Sequence, residues 1–397
     1  MTISSSLSAG VAGLNANATR LASISDNIAN VNTAGYSRQS NVQVARDSQY
    51  SGSGFMGRGV DVQTVIRTRN DFLSTNATLT ASVSAADSVR AEKLSQLEQL
   101  FPVGENGLGA AVNNVFNAFT DLSSMPSDIT SRTALLARLS DMTSRFNTTS
   151  SQLDNLQTQI NGQMAANVTQ INKFAVQIAA ANTQIQAANG TGHVPNDLLD
   201  QRDQLIADLN KLVQTSTIPA NDGTLGVYIG GGQPLVVSNL ASKLKLVSDS
   251  TDSTQQSLLI EQSGQDIGLN YQDIGGGELA GLLKFQTTDL NDARNTVGRM
   301  ALAVANVLNN QHKLGKDLNG VNALALFTLP TIGGTPNDFN TGVGQAQAVV
   351  NDPTGNQLLP SDYEVKFTSG TAGTITRLSD QTVVPFGPPL PLAASAF

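Results

Sequence analysis

The sequence predicts a mainly α-helical chain with β-rich domains: an elongated helical bundle or coiled coil with a small β insertion and a further β-rich domain towards the C-terminus. Three observations predict it. An apolar stripe at helical spacing runs from Leu139 to Ile185. Short apolar runs between residues 214 and 276 are punctuated by Gly-rich turns. Beyond Gly320 the helical period gives way to Pro, Gly, Thr and Asp.

The first element is an amphipathic helix. Leu7, Val11, Leu14, Ala18, Leu21, Ser25 and Ile28 alternate spacings of four and three, which is a coiled-coil seam with Ser25 as its one polar member. Arg20 and Asp26 are the only charged side chains before Arg38, so the opposite face is Ser, Thr and Asn. A polar yet uncharged face suits crowding against copies of the same helix; a mobile terminal helix of a soluble protein is the other reading. The helix ends in a polar turn containing Asn27, Asn30, Asn32, Gly35, Tyr36 and Arg38. There Gly35 takes a left-handed conformation and Tyr36 covers the apolar end, or the same geometry turns Tyr36 and Arg38 towards a neighbouring subunit.

A Gly-rich loop follows, with Gly52, Gly54, Gly57 and Gly59 leading into alternating Val60, Val62 and Val65, the pattern of a short strand. Gly52, Gly54 and Gly57 satisfy the G-x-G-x-x-G spacing. That motif must follow a strand and open a helix, whereas here a strand pattern follows, so a dinucleotide site is rejected.

Helical spacing resumes at Phe72, with Val83, Val89, Leu94, Leu97 and Phe101 closing at Pro102. A second helix covers residues 108–124. A third starts near Asp128 and carries Leu139, Met142, Phe146, Leu153, Leu156, Ile160, Met164, Val168, Ile171, Ile178 and Ile185 until Asn189 and Gly190 stop it. Such a helix reaches roughly 85 Å, so it must pack on partners along most of its length. From Leu156 to Val168 the steps are all four, a stutter at which a supercoil relaxes. The next helix, after Pro195, has Leu198, Leu205, Leu209 and Leu212 on one face. A last one carries Leu283, Leu290, Ala293, Val297, Met300, Val304 and Val307. Strands are predicted over 224–229, 234–237, 244–247 and 258–260, then over 363–367 and 374–376. The domains are residues 1–49 (helix and turn), 50–71 (Gly-rich linker and strand), 72–320 (helical bundle, β insertion at about 214–276) and 321–397 (β-rich).

Composition narrows the function classes. The chain has 397 residues, a formal net charge of -8 and 14% charged residues, so no basic patch favours nucleic acid or an anionic membrane. The N-terminus lacks a basic region followed by an apolar run, and no segment approaches the ~18 apolar residues of a membrane span. Two histidines and no cysteine leave little material for zinc or a Cys/His nucleophile. Asp197, Asp200 and Asp203, with His193 upstream, invite a metal or acid–base reading. Steps of three on a helix drift by about 60° each, so the outer two converge poorly. Carboxylates in first helical turns are favoured by the macrodipole, and Arg202 can pair locally. His312 reads as a cation at a helix C-terminus. No catalytic, cofactor or metal residue is expected, and the chain is read as no enzyme.

The turn of residues 26–39, with Asn27, Asn30, Asn32, Gly35, Tyr36 and Arg38, resembles the N-terminal signature of bacterial flagellar axial proteins. Three later stretches narrow the resemblance to the hook-associated protein 1 (FlgK) family, the first hook–filament junction proteins. They are Pro195 through Leu205, then Asp289 and Leu290 with Arg294, Asn295 and Thr296, and Gln311, His312 and Lys313 before Gly315. The similarity runs to about Leu378. It implies a structural, self-assembling subunit joining hook to filament, partnered by copies of itself, the hook protein and the second junction protein (FlgL), without nucleic acid, membrane or cofactor. It implies residence on the extracellular flagellum after type III export without a cleaved signal. By that resemblance residues 1–49 are half of the inner core domain and 321–397 lie outermost. Interface residues would be Leu7, Val11, Leu14, Leu21 and Ile28 of the seam and Asn27, Asn30, Asn32, Gly35, Tyr36 and Arg38 of the turn.

Full-length members return to the core with a C-terminal helical region that pairs with the first helix. No such helix is readable in the tail from Val384 to Phe397, which suggests truncation. A first helix without that partner is marginal in water. The chain is therefore expected to be flexible over residues 1–35, monomeric in solution and unable to support junction assembly alone. Another axial protein, hook or rod, would share the turn but lack the later stretches. A surface adhesin or binding module is the remaining alternative, without an aromatic-rich face to support it at 5% aromatics.

Overall fold

The computed structural model describes residues 3–50, 52, 54–190, 194–317, 319–329, 332–337, 340–342, 346–348, 359–369 and 372–386. His193 and the tail from residue 387 onward lie outside the described residues. The chain falls into two compact units, residues 1–89, 164–246 and 258–281, and residues 90–163, 247–257 and 282–397.

The predicted helices form. α1 spans Ile3–Ala29, α2 Asp71–Gln99, α3 Leu108–Ser124, α4 Ile129–Asn189 and α5 Asn196–Leu212, with a short 3-10 turn at Gly104–Asn106. Every residue of the predicted α4 stripe, Leu139 through Ile185, is buried. The division between the units falls at residues 163 and 164, inside the run of four-residue steps. α5 differs from expectation. Of its predicted face Leu209 is buried but Leu198, Leu205 and Leu212 are only half-buried, while Asn196, Asp200, Arg202, Ile206 and Asn210 are buried, because polar partners wait on the far side of the helix.

Four strands precede α2: β1 Gln39–Ala45, β2 Gln49–Tyr50, β3 Phe55–Met56 and β4 Val60–Arg67. The predicted strand is β4. Its antiparallel partner β1, in register Gln39↔Arg67 to Ala45↔Val60 with a bulge at Val42/Gln43, was not predicted, since Gln39, Ser40, Asn41 and Gln43 give it little apolar alternation.

The insertion holds more strands than its apolar runs announce: β5 Ser216–Pro219, β6 Leu225–Ile229, β7 Gln233–Val237, β8 Leu240–Ala241, β9 Lys243–Ser248, β10 Gln256–Gln262 and β11 Gln265–Leu269. They form two meanders, β5-β6-β7-β8 and β9-β10-β11. α6 Tyr271–Ile274 follows, opened by a capping box between Asn270 and Asp273. α7 Glu278–Lys284 passes through a π-helical turn, Phe285–Leu290, into α8 Asn291–Lys313. The heptad reading predicted one continuous helix here. The wider turn brings Phe285, Gln286 and Leu290 all into the core; the predicted series holds through Val297, and near the C-terminal end of α8 Leu308 is buried where Val307 was expected. Beyond it lie β12 Ile332–Gly333 paired with β13 Gln347–Ala348, and a meander of β14 Tyr363–Phe367, β15 Gly373–Arg377 and β16 Thr382–Phe386.

Side-chain amides tie helices to strands and loops within each unit. A primary amide carries a donor and an acceptor side by side, so it pairs with one residue's N–H and C=O as a neighbouring strand would. In the first unit Asn172 of α4 donates to the Leu244 carbonyl (2.9 Å) and accepts from the Leu244 N–H (2.8 Å). Asn182 does the same with Leu225 and also donates to the Ser238 carbonyl. In the second, Gln286 of the π turn pairs with Gln256 and Asn309 of α8 with Phe327.

Candidate assembly interface

α1 has two faces with different fates. Leu7, Leu14, Leu21 and Ile28 are 68%, 71%, 65% and 69% exposed, and Val11 is 48% exposed, so the predicted seam has no partner among the described residues. Ala12 and Ala16 are buried on the opposite side, roughly 200° away on the helical wheel, against the β1–β4 hairpin. Small residues permit that approach. Gly59 lies so close that a Cβ there would stand 3.1 Å from the Ala9 carbonyl oxygen and 3.3 Å from the Ala12 Cβ. Further along the same face the Ser23 hydroxyl donates to Asn41 Oδ1 (2.7 Å). The uncharged face expected to crowd against other copies is thus used, in part, for docking within the chain.

Asn27 closes the turn. Its Nδ2 donates to the Gln39 carbonyl (2.9 Å), and its Oδ1 accepts from the Gln39 N–H (2.8 Å) and the Tyr36 hydroxyl (2.9 Å). Burial, then Asp26, Asp197 and Asp200, push the Tyr36 phenol above its ordinary pKa, which keeps it a donor. Asn30 donates back to the Asp26 carbonyl and accepts from Thr33; Asn32 is exposed on the turn. The Arg38 side chain is exposed while its carbonyl accepts from the Thr68 N–H (2.8 Å).

Gly35 has φ +83°, and a Cβ there would lie 2.7 Å from Gln204 Oε1. Gly35→Ala is expected to cost about 1–2 kcal/mol, from the left-handed backbone and the crowding on Gln204, read as a lowered urea midpoint. Adding Gln204→Ala relieves the crowding alone, so recovery is partial.

Gln204 belongs to the 195–205 stretch, and the turn docks on that stretch. Asp200 Oδ2 accepts from the Ser37 N–H (2.9 Å) and its Oδ1 from Arg67 (2.8 Å). Asp203 pairs with Arg67 (2.7 Å) and with Arg69, which also reaches Asp71 (3.1 Å). Gln39 Nε2 donates to Asp197 (3.3 Å) and Asn196 Nδ2 to the Val65 carbonyl (2.9 Å). Asp200 and Asp203, neighbours in the series, meet on Arg67, because carboxylates three apart on a helix match guanidinium groups arriving from a strand end, while the outer Asp197 reaches Gln39 instead, in keeping with the drift along the helix. One expectation is corrected here. Arg202 does not pair with them: it is buried and donates to Asn182 Oδ1 (3.2 Å) and the Gly223 carbonyl (2.9 Å). Burial, then repulsion from Arg67 and Arg69, lowers its pKa to about 10. Arg67 and Arg69 escaped the sequence reading, though two arginines at i and i+2 were a visible signal for one face of a strand end.

His312 also finds a partner, its Nδ1 donating to the Leu324 carbonyl (2.6 Å). An open groove of about 930 Å3 on α4 is lined by hydroxyl, amide and apolar groups, among them Ser140, Asn147, Ser151 and Phe327, without an acid–base pair. No group of three or more His, Cys, Asp or Glu capable of holding a metal occurs among the described residues. No helix among them is long and apolar enough to cross a membrane.

A long-helix scaffold that presents one apolar helix face, with the other face and the following turn fastened from within, is the build of a structural protein. Residues 94–327 match the family described as the flagellar hook-associated protein FlgK helical domain, and residues 7–36 that of the flagella basal body rod protein. The chain belongs to the flagellar hook-associated protein 1 family, structural proteins of the hook–filament junction of the bacterial flagellum. It is 32% identical to the flagellar hook-associated protein 1 of Salmonella typhimurium over 385 residues, covering 96% of this chain and 69% of that protein. Against that of Escherichia coli it is 31% identical over 383 residues, 96% of this chain and 70% of the relative. The solved flagellar hook junction protein FlgK of Burkholderia pseudomallei superposes with a TM-score of 0.69 at 26% identity, covering 80% of this chain. The chain spans 57% of the length of that solved structure.

Proposed function

We propose that this chain acts as a non-enzymatic junction subunit, joining hook to filament by packing the α1 seam against neighbouring subunits. One observation carries the reading: Leu7, Leu14, Leu21 and Ile28 stay exposed on a helix whose opposite face is already occupied. Burying a Leu or Ile side chain is worth about 1.5–3 kcal/mol, so a seam of this length supplies substantial drive for association. Its partners would be copies of itself, the hook protein and the second junction protein, met after export by the flagellum's own type III system. In this arrangement residues 1–49 enter the inner core, 50–71 link outward, 72–320 make side contacts and 321–397 face out. The turn residues Asn27, Asn30, Asn32, Gly35, Tyr36 and Arg38 set the direction in which the seam is offered.

The expectation of a marginal, unassembled first helix rested on a seam without a partner, and that seam is exposed. Docking of Ala12 and Ala16 on the hairpin and the Asn27 clamp support an ordered α1 through its other face. Purified chain is expected to co-sediment with isolated hooks and to remain in the supernatant without them. Recovery entirely in the supernatant with hooks present would refute the reading.

A further inference from the structure

We infer that Asp200 and Asp203 are positioning residues that fix the angle at which the N-terminal hairpin assembly, and with it the α1 seam, stands on α5. The consequence for assembly rests on the seam reading above; the geometry does not. α1 docks on β1 and β4, and the chain continues from the end of β4 into α2 through residues 68–70. That covalent link alone would leave a swivel. The carboxylates grip the hairpin at one end: Gln39 and Arg67 are register partners, and Asp200 holds the Ser37 N–H just before β1 and the Arg67 guanidinium at the end of β4. Asp203 takes Arg67 again and adds Arg69, beyond the strand. The Asp200 and Asp203 side chains are 10% and 17% exposed, so solvent screens the pairs weakly. Asn196 and Asp197 add their bonds to Val65 and Gln39 on either side.

What holds each partner together lies elsewhere. α1 stays on its hairpin through Ala12, Ala16, Ser23 and Asn27, and α5 is anchored by Ile206, Leu209 and the following Val213. Removing the two carboxylate charges should therefore free the angle without unfolding either side. An interaction of this kind restricts orientation between two preformed pieces.

The chain has no cysteine, so nitroxide labels can be placed on introduced cysteines replacing Arg20 of α1 and Lys211 of α5, both exposed. Electron–electron double resonance is expected to give a narrow distance distribution in the labelled parent. In the isosteric variant Asp200→Asn with Asp203→Asn it should broaden at least about twofold while amide protection of α4 and α5 stays unchanged. Asp203→Glu, which keeps the charge, should retain the narrow distribution. A distribution as narrow in the double Asn variant as in the parent would overturn the inference, and so would broadening accompanied by equal loss of protection in α4 and α5. Failure of the parent to bind hooks would remove the seam reading and leave the distance result standing.

Discussion

Asn182→Ala is expected to destabilise the first unit by about 3–5 kcal/mol, the largest loss from any polar substitution in it. The side chain is fully buried and makes four hydrogen bonds: donations to the Leu225 and Ser238 carbonyls, and acceptances from the Leu225 N–H and Arg202. Truncation leaves two carbonyls and one N–H dry, each an unmet group costing about 1–3 kcal/mol before water or relaxation offsets part of it. It also strips a partner from Arg202, a buried cation already pushed down to about 10 by desolvation. Native-state amide exchange is the appropriate measurement, because a chain of two compact units need not unfold in one step. Protection around Ile178 and Ile185 should fall by about two to three orders of magnitude. Asn32→Ala, on the exposed turn, should change protection by less than about threefold. Equal effects of the two substitutions would show that Asn182 is not the link between α4 and the β insertion.

Leu14→Asp combined with Leu21→Asp is expected to abolish co-sedimentation with hooks while leaving the fold in place. Both side chains are largely exposed in the free chain, 71% and 65%, so the stability cost is limited to helix propensity, about 1 kcal/mol for two aspartates. In the proposed assembly the same positions are buried between apolar neighbours, where an unpaired carboxylate is costly enough to reduce binding by at least about a hundredfold. Circular dichroism tests the first half and sedimentation with hooks the second. Ala12→Asp is the informative counterpart, since it places the charge in the contact with the hairpin and should loosen α1 itself. Parent-like sedimentation of the double variant would exclude the seam as the binding face.

The legible and illegible parts of this chain differ in the range over which their signals act. The α4 stripe was readable because each of its apolar residues repeats a local spacing, and all of those named are buried. β1 was not, because a hairpin strand that presents one polar edge to solvent and one small face to α1 carries few apolar residues of its own. The π turn at Phe285–Leu290 was invisible for a related reason: a single wide turn leaves no local mark in the sequence. Asn172, Asn182 and Asn309 look like turn or cap residues by type, and only a partner backbone segment reveals the first two as helix-to-strand links and the third as a helix-to-loop link.

The sequence by itself determined that long amphipathic helices would form, that α1 would carry an apolar seam ending at a glycine turn, and that this turn and three later stretches would resemble one family of flagellar proteins. Tertiary structure alone decided which face of α1 stays free, and that the turn of residues 26–39 docks on the 195–205 stretch through Arg67, Asp200 and Asp203. The physical reason is separation. Periodicity encodes burial within a few residues, whereas an ion pair between positions 133 apart depends on distances that exist only once the helices and the hairpin have packed.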